Sequence, residues 1–306
     1  MLIEVIHETK YEYAPAVDIA QHIMHLKPIE TINQQVVSAN ITIEPLPEWL
    51  SETTDVFGNH SAFFSIQSTH EKLDILAHSV INTSVLTLPP DATASSPAWE
   101  KVRDYFRYHV ESTFDPAVEY VFSSPFIRPH PNFKDFSQSL FTPERPILDL
   151  CEQLMREIYE GLEYSKESTD IDTPAHEAIK NRRGVCQDFA HIFISCARMQ
   201  GLASRYVSGY LVTDPPPSKP RLIGSDASHA WASIYVPSIN LQGALCPGHW
   251  YDFDPTNNHW GLGSPGEHYI TLAYGRDYSD ISPIKGVIHG GEKHTMEVAV
   301  TVQPIE

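Results

Sequence analysis

Apolar and polar residues alternate with a period of two through most of residues 1–90. Leu2 to His7, Thr9 to Tyr13, Gln35 to Ile43, Ser61 to Ile66 and Leu73 to Ile81 each read as a strand. The Phe57-Gly58-Asn59-His60 run supplies a turn between strands. Short strands at this spacing predict a sandwich or small barrel. The pattern then breaks at Leu88 to Pro97, a Pro/Ser/Ala-rich stretch that marks a domain boundary. Beyond it the period lengthens to that of a helix. Trp99, Val102, Tyr105 and Phe106 fall on one helical face within Pro97 to Glu111. Phe122 to Phe141 is rich in proline and aromatics and has no period. Ile147, Leu148, Cys151, Leu154, Met155 and Ile158 line one face of a helix over Pro143 to Tyr159. Thr173-Pro174 reads as the cap and first residue of another helix.

One stretch then runs turn, helix, turn, strand. Gly184 permits a tight turn. Phe189, Ala190, Phe193, Ile194 and Ala197 share a helical face, and Gly201 caps its end. Arg205 to Leu211 alternates as a strand. His229 to Val236 and Trp250 to Asp254 do likewise, and Met296 to Val302 is a closing strand. On the second of these strands His229, Trp231, Ser233 and Tyr235 share a face, with Ala230, Ala232, Ile234 and Val236 opposite. Trp250, Asp252 and Asp254 share a face of the third. An antiparallel pairing of the two sets Asp254 across from His229, about 5 Å apart at Cβ. Asp214 to Pro220 carries four prolines in seven residues, unfit for a sheet interior, and reads as the rim or lid of a cleft.

Charge narrows the function. The 306 residues carry 21 Lys plus Arg against 39 Asp plus Glu, a formal charge of −18. Such a surface repels nucleic acid and anionic membranes. Met1 to Glu8 lacks the basic start and apolar core of a signal peptide. No apolar run approaches the roughly 20 residues of a membrane span. A cytoplasmic protein is therefore expected, with Cys151, Cys186, Cys196 and Cys246 as thiols. Cys246-Pro247-Gly248-His249 has metal-ligand residues but no partner pair nearby, so neither metal nor cofactor is expected.

Cys186 falls in the first turn of its helix, where unpaired N–H groups and the helix dipole favour negative charge. A thiolate there is a nucleophile. The plainer reading of a single cysteine is a small buried apolar group, and Cys151 and Cys196 fit that reading. Cys186, His229 and a carboxylate, Asp254 or Asp252, make a set of nucleophile, base and orienting group. The Cys186 backbone N–H is one oxyanion donor; the sequence identifies no second. Asp188 and His191 read as capping or packing groups, and Arg276-Asp277-Tyr278 as the seat of an ion pair tying the tail to the core. Trp231, Trp250 and Trp260 could wall a channel for an acceptor.

Three segments together resemble the transglutaminase-like superfamily of papain-type cysteine enzymes. They are Arg182-Arg183-Gly184-Val185-Cys186-Gln187-Asp188-Phe189-Ala190-His191, Ala227-Ser228-His229-Ala230-Trp231, and Asp252-Phe253-Asp254-Pro255-Thr256. The match is closest to the bacterial branch, and the opening residues resemble that branch's N-terminal domain. The resemblance implies an α+β fold: a papain-like transglutaminase core, its Cys-bearing helix packed on an antiparallel sheet, preceded by a β-sandwich domain. The division expected is 1–90 for the sandwich and 91–306 for the catalytic domain. It implies Cys186 as nucleophile, His229 as base and Asp254, in Asp-Pro-Thr, as the orienting carboxylate. The expected reaction is acyl transfer at an amide bond through a thioester, with hydrolysis of a peptide or isopeptide favoured. Transamidation of protein glutamine and a non-catalytic peptide-binding scaffold are the alternatives. The substrate would be a protein or peptide.

Overall fold

The computed structural model describes residues 1–108, 110, 114–165, 173–213 and 228–305. The proline-rich Asp214 to Pro220 stretch lies outside the described residues.

The chain opens with one 23-residue strand, β1 (Leu2–Met24). Next come β2 (Gln34–Glu44), β3 (Trp49–Thr54), β4 (His60–Ile66) and β5 (His70–Thr83). The two strands expected before residue 14 are thus one. In β1 the odd positions from Ile3 to Tyr13 and Val17 are buried, then the even positions Ala20, His22 and Met24. A register slip between Val17 and Ile19 inserts Asp18 and flips the alternation. The first limb of β1 pairs with β5 and the second with β4, in the order β2-β5-β1-β4-β3. Tyr11 and Tyr13 of one limb share a core with Ala20, Met24, Phe64 and Leu73, so one sheet folds over its own interior.

Helical structure follows as α1 (Ala92–Ser95), α2 (Trp99–Tyr105), a 3-10 turn at Pro116–Val121, α3 (Pro131–Ser137) and α4 (Ile147–Gly161). The short β6 (Glu163–Tyr164), α5 (Ala175–Asn181) and β7 (Arg183–Gly184) lead to α6 (Cys186–Met199). A second sheet holds β8 (Ser204–Leu211), β9 (Ser228–Ile239), β10 (Leu245–Asp254), β11 (His259–Leu262) and β12 (Tyr269–Gly275), all antiparallel, ordered β11-β10-β9-β8-β12. Phe189 and Phe193 of α6 bury against Ala230, Ala232 and Ile234, and α4 packs Leu150, Leu154 and Ile158 into the same core. The helix-bearing core and the N-terminal β domain therefore form as expected.

The division at residue 90 does not follow the structure. The chain ends in β13 (Ile284–Gly290) and β14 (Lys293–Pro304), and both pair with β1. Residues 284–304 therefore belong to the first sheet, not to a domain spanning 91–306. Ile3, Val5, Ile81, Val300 and Val302 pack against Tyr210, Val212, Ile270 and Leu272, joining the two sheets through an apolar layer. Two buried amides continue the β12 ladder. Gln34 exchanges both bonds with Thr271 at 2.8 Å, and Asn59 both with Tyr274 at 2.7 Å. The outer edge of β12 is thereby satisfied. Among the described residues no helix is long and apolar enough to cross a membrane.

Candidate active site

α6 begins at Cys186, so the thiol sits where helix N–H groups lack partners. The approach is fixed by Asp188, whose carboxylate accepts the Val185 N–H at 2.8 Å. Gly184 is not left-handed; the positive φ of this turn is 57° at Arg182, which ends α5. Glycine is required at 184 because a Cβ there would lie 2.8 Å from the Asp188 Oδ2. The capping role expected of Asp188 thus also dictates its glycine neighbour.

His229 stands near the start of β9 and is 9% exposed. Its Nε2 contacts the Asp254 Oδ2 at 2.8 Å. Cys186 influences the charge of the same ring, which puts the helix start in the neighbourhood of the His229–Asp254 pair. Asp254 does not sit squarely across from His229. The β9–β10 register pairs Phe253 with Ala232 and Asp252 with Ser233, so Asp254 reaches His229 on the diagonal.

Asp254 is fully buried. Its Oδ2 also accepts Asn257 Nδ2 at 2.7 Å and the Tyr269 hydroxyl at 2.8 Å, and its Oδ1 accepts the Thr256 N–H at 2.8 Å. Burial alone would favour the neutral acid, yet the His229 charge and these donors hold the carboxyl below its ordinary range. Burial likewise opposes a charged His229, and the adjacent Asp254 and Cys186 override it, raising its pKa to about 10. An imidazolium is therefore the resting form at neutral pH, beside a thiol at a helix start.

Asp252 has a different task. It is fully buried and accepts Trp231 Nε1 at 2.9 Å and the Ser233 hydroxyl. Burial raises its pKa. Asp252 therefore positions Trp231, whose ring lies under the site, 6.0 Å from His229 and 5.4 Å from Tyr269. Gly209 makes room for that indole: a Cβ there would meet it at 2.6 Å.

The remaining expectations resolve as follows. His191 is buried, stacks on Phe126 and accepts the Tyr278 N–H at 3.3 Å, a packing role. Cys151 and Cys196 are buried and inert: burial drives both thiols up, Cys196 to about 12. The ion pair expected in Arg276-Asp277-Tyr278 forms between Arg276 and Asp280 through two 2.9 Å contacts, and Asp277 ties the segment to the helical region by accepting the Phe126 N–H at 2.8 Å. The three tryptophans do not form one channel. Trp231 is buried, Trp250 stacks on Arg205 and Trp260 stacks on Phe253. Among the described residues no group of three or more His, Cys, Asp or Glu side chains could hold a metal ion. Asn257 and Tyr269 were not anticipated. Asn257 carried a signal, since it follows Asp254 by three residues in a polar turn; Tyr269 carried none.

A helix opening on cysteine, packed on an antiparallel sheet that presents histidine and aspartate, defines a papain-like core. Comparison with known proteins gives the family. Residues 3–82 match the bacterial transglutaminase-like N-terminal region, and residues 134–255 match the transglutaminase-like superfamily. The chain is 36% identical over 311 residues to an uncharacterised protein of Mycobacterium tuberculosis, covering 99% of this chain and 92% of the relative. It is 26% identical over 305 residues to one of Mycobacterium leprae, covering 98% of each. The chain belongs to the transglutaminase-like superfamily, with the bacterial type of N-terminal region. The fold is similar to that of a candidate cysteine protease from Cytophaga hutchinsonii, with a TM-score of 0.71 at 18% identity over 100% of this chain and 92% of that one.

Proposed function

We propose that this chain cleaves a peptide or isopeptide amide through a Cys186 thioester. The observation that supports the reading is the 2.8 Å contact of His229 with the buried Asp254, with Cys186 at the start of the helix packed on that sheet. The Cys186 thiolate attacks the amide carbonyl, and the Cys186 N–H at the helix start stabilises the oxyanion. The tetrahedral intermediate collapses as His229 gives its proton to the leaving amine. A thioester and neutral His229 remain. His229 then takes a proton from water as its oxygen attacks the thioester carbonyl; the second tetrahedral intermediate collapses with cleavage of the C–S bond, returning the Cys186 thiolate beside protonated His229, and the carboxylic acid product loses its proton to solvent and leaves. Asp254 fixes the ring and balances its charge throughout. The substrate is a protein or peptide, and the compartment is the cytoplasm, where four cysteines that are all free in this fold stay reduced.

The test is the pH dependence of Cys186 alkylation by iodoacetamide, read by mass spectrometry with Cys151 and Cys196 as internal controls. Fast reaction well below pH 8 that His229→Ala abolishes supports the nucleophile. An ordinary thiol profile in both proteins refutes it and leaves the scaffold reading. Thioester formed from a peptide library is then offered water alone or a primary amine. Carboxylate as the main product at physiological amine concentration supports hydrolysis; amide exchange as the main product replaces it with transamidation.

A further inference from the structure

A cavity of about 680 Å³ lies away from the catalytic cysteine, where the β3–β4 turn meets the second sheet. Its lining includes Phe57, Glu119, Tyr120, Arg205, Trp250 and Arg276. The volume falls within the range of small-molecule sites. Arg205 is paired across the strands with Ser233, four residues along β9 from His229, or roughly 13 Å at about 3.3 Å per residue.

Arg205 is the informative residue. It is only 9% exposed. Its guanidinium lies 3.4 Å from the Tyr274 ring centroid and 4.2 Å from that of Trp250. Its Nε is buried without a hydrogen-bond partner. Asp252 is the nearest buried carboxylate in its row, yet both Asp252 oxygens are taken by Trp231 and Ser233. Among the described residues no ion pair joins Arg205 to an acid. Stacking on ring faces restrains the planar fork while leaving its edge donors unspent. A buried guanidinium with unspent donors is costly unless something else satisfies it. Arg276 adds positive charge at the rim, though Asp280 already engages it.

We propose that this cavity binds a small monocarboxylate with a flat aromatic body. The carboxylate meets the fork of Arg205. The body packs among Phe57, Tyr120 and Trp250: Tyr120 meets Trp250 edge to face at 5.1 Å between ring centroids, and Phe57 tilts against Tyr120 at 5.9 Å. Glu119 and Asp280 on the wall, the latter engaged by Arg276, select against a second negative charge. Because Phe57 comes from the first sheet and Arg205 from the second, an occupant ties the two together.

The test is titration calorimetry of the full chain with 3-phenylpropionate, with 3-phenylpropanol and acetate as controls. We expect a Kd of about 1 mM or below, and at least about tenfold weaker binding of both controls, since a charge-assisted contact is worth that factor. Arg205→Lys should weaken 3-phenylpropionate about tenfold, Glu119→Gln should strengthen it several-fold, and Cys186→Ser should change nothing. No heat from 3-phenylpropionate at 10-fold above that Kd (about 10 mM) overturns the assignment. So does equal affinity for the alcohol, or loss of binding in Cys186→Ser but not in Arg205→Lys. Should Arg205→Lys fail to fold, judged by circular dichroism, Glu119→Gln decides: unchanged affinity overturns the site.

Discussion

Asp254→Asn and Asp252→Asn separate two carboxylates that share one strand and one face. In the wild type His229 rises from 6.5 to about 10 against the opposing effect of burial. At about 1.4 kcal/mol per pH unit, that is a bias of about 5 kcal/mol toward the imidazolium. Asp254 is the largest source of that bias, ahead of Cys186. With asparagine at 254 the burial cost remains and the counter-charge is gone, so the ring is neutral at pH 7 and offers a thiolate no counter-charge. Alkylation of Cys186 at pH 7 should fall at least about 100-fold. Amide cleavage should fall by about 10³ to 10⁴, the scale for loss of an orienting carboxylate. Folding also suffers, because every contact of Asp254 is with a donor. The new NH₂ must face one of them, at about 1–3 kcal/mol. Asp252→Asn should cost comparable stability, since Trp231 and Ser233 donate to it, but leave the pH profile of Cys186 in place. The assay is alkylation followed by peptide mapping between pH 5 and 10, with urea melts in parallel. A variant at 254 that alkylates like the wild type at pH 7, or a variant at 252 that does not, refutes the assignment.

Three further outcomes follow from the fold. Gly184→Ala should lose about 1–3 kcal/mol in urea melts and slow Cys186 alkylation, because its Cβ displaces the Asp188 carboxylate that holds Val185; a wild-type melt would contradict this. Ending the chain at Ser282 should give no folded product, since β13 and β14 pair with β1 over Ile3 to Ala14 and Val17 to Met24; a soluble fragment with native near-ultraviolet dichroism would count against it. Burial lowers His7, His22 and His191 to about 4 each, so the folded state keeps them neutral while the unfolded chain protonates near 6.5. Their contribution is present above pH 6.5 and is lost as pH falls toward 4, at up to about 3 kcal/mol per histidine. Urea midpoints that stay flat from pH 6.5 to 4.5 would sink that account.

The elements of the candidate site were legible because their packing is local. Phe189, Ala190, Phe193, Ile194 and Ala197 mark the buried face of α6, and all are 2% exposed or less. The facing strand shows itself through Ala230, Ala232 and Ile234, which bury against that helix. What escaped was set by pairing at long range. β13 reads Ile-Lys-Gly-Val-Ile-His-Gly, two glycines among largely exposed positions, with no alternation to find. Gly286 is there because the His22 ring of β1 occupies its Cβ space, at 2.3 Å. Tyr269 reaches Asp254 although β12 pairs with β8 at the far side of β9, and sequence spacing holds no trace of that. The partner of Asp277, the Phe126 N–H, lies 151 residues away and is equally invisible to sequence spacing.

The charges at the site are set by neighbours rather than by depth. Asp252 and Asp254 are both fully buried, two residues apart. Asp252 has two neutral donors and the charge of Arg205 across the sheet, which together do not offset burial, and its pKa is raised. Asp254 touches an imidazolium and three further donors, and its pKa is lowered. Asp254 adds stability above the usual carboxylate range, lost as pH falls through its lowered pKa. His229 adds stability in full below 6.5, lost as pH rises through about 10. The pair is therefore intact across neutral pH. Above about 10 the two readouts should part. Alkylation needs only the thiolate and persists. Amide cleavage also needs the His229 proton for the leaving amine and declines. If both fall together at high pH, unfolding or another group governs the limb; if cleavage persists with alkylation, His229 is not the acid.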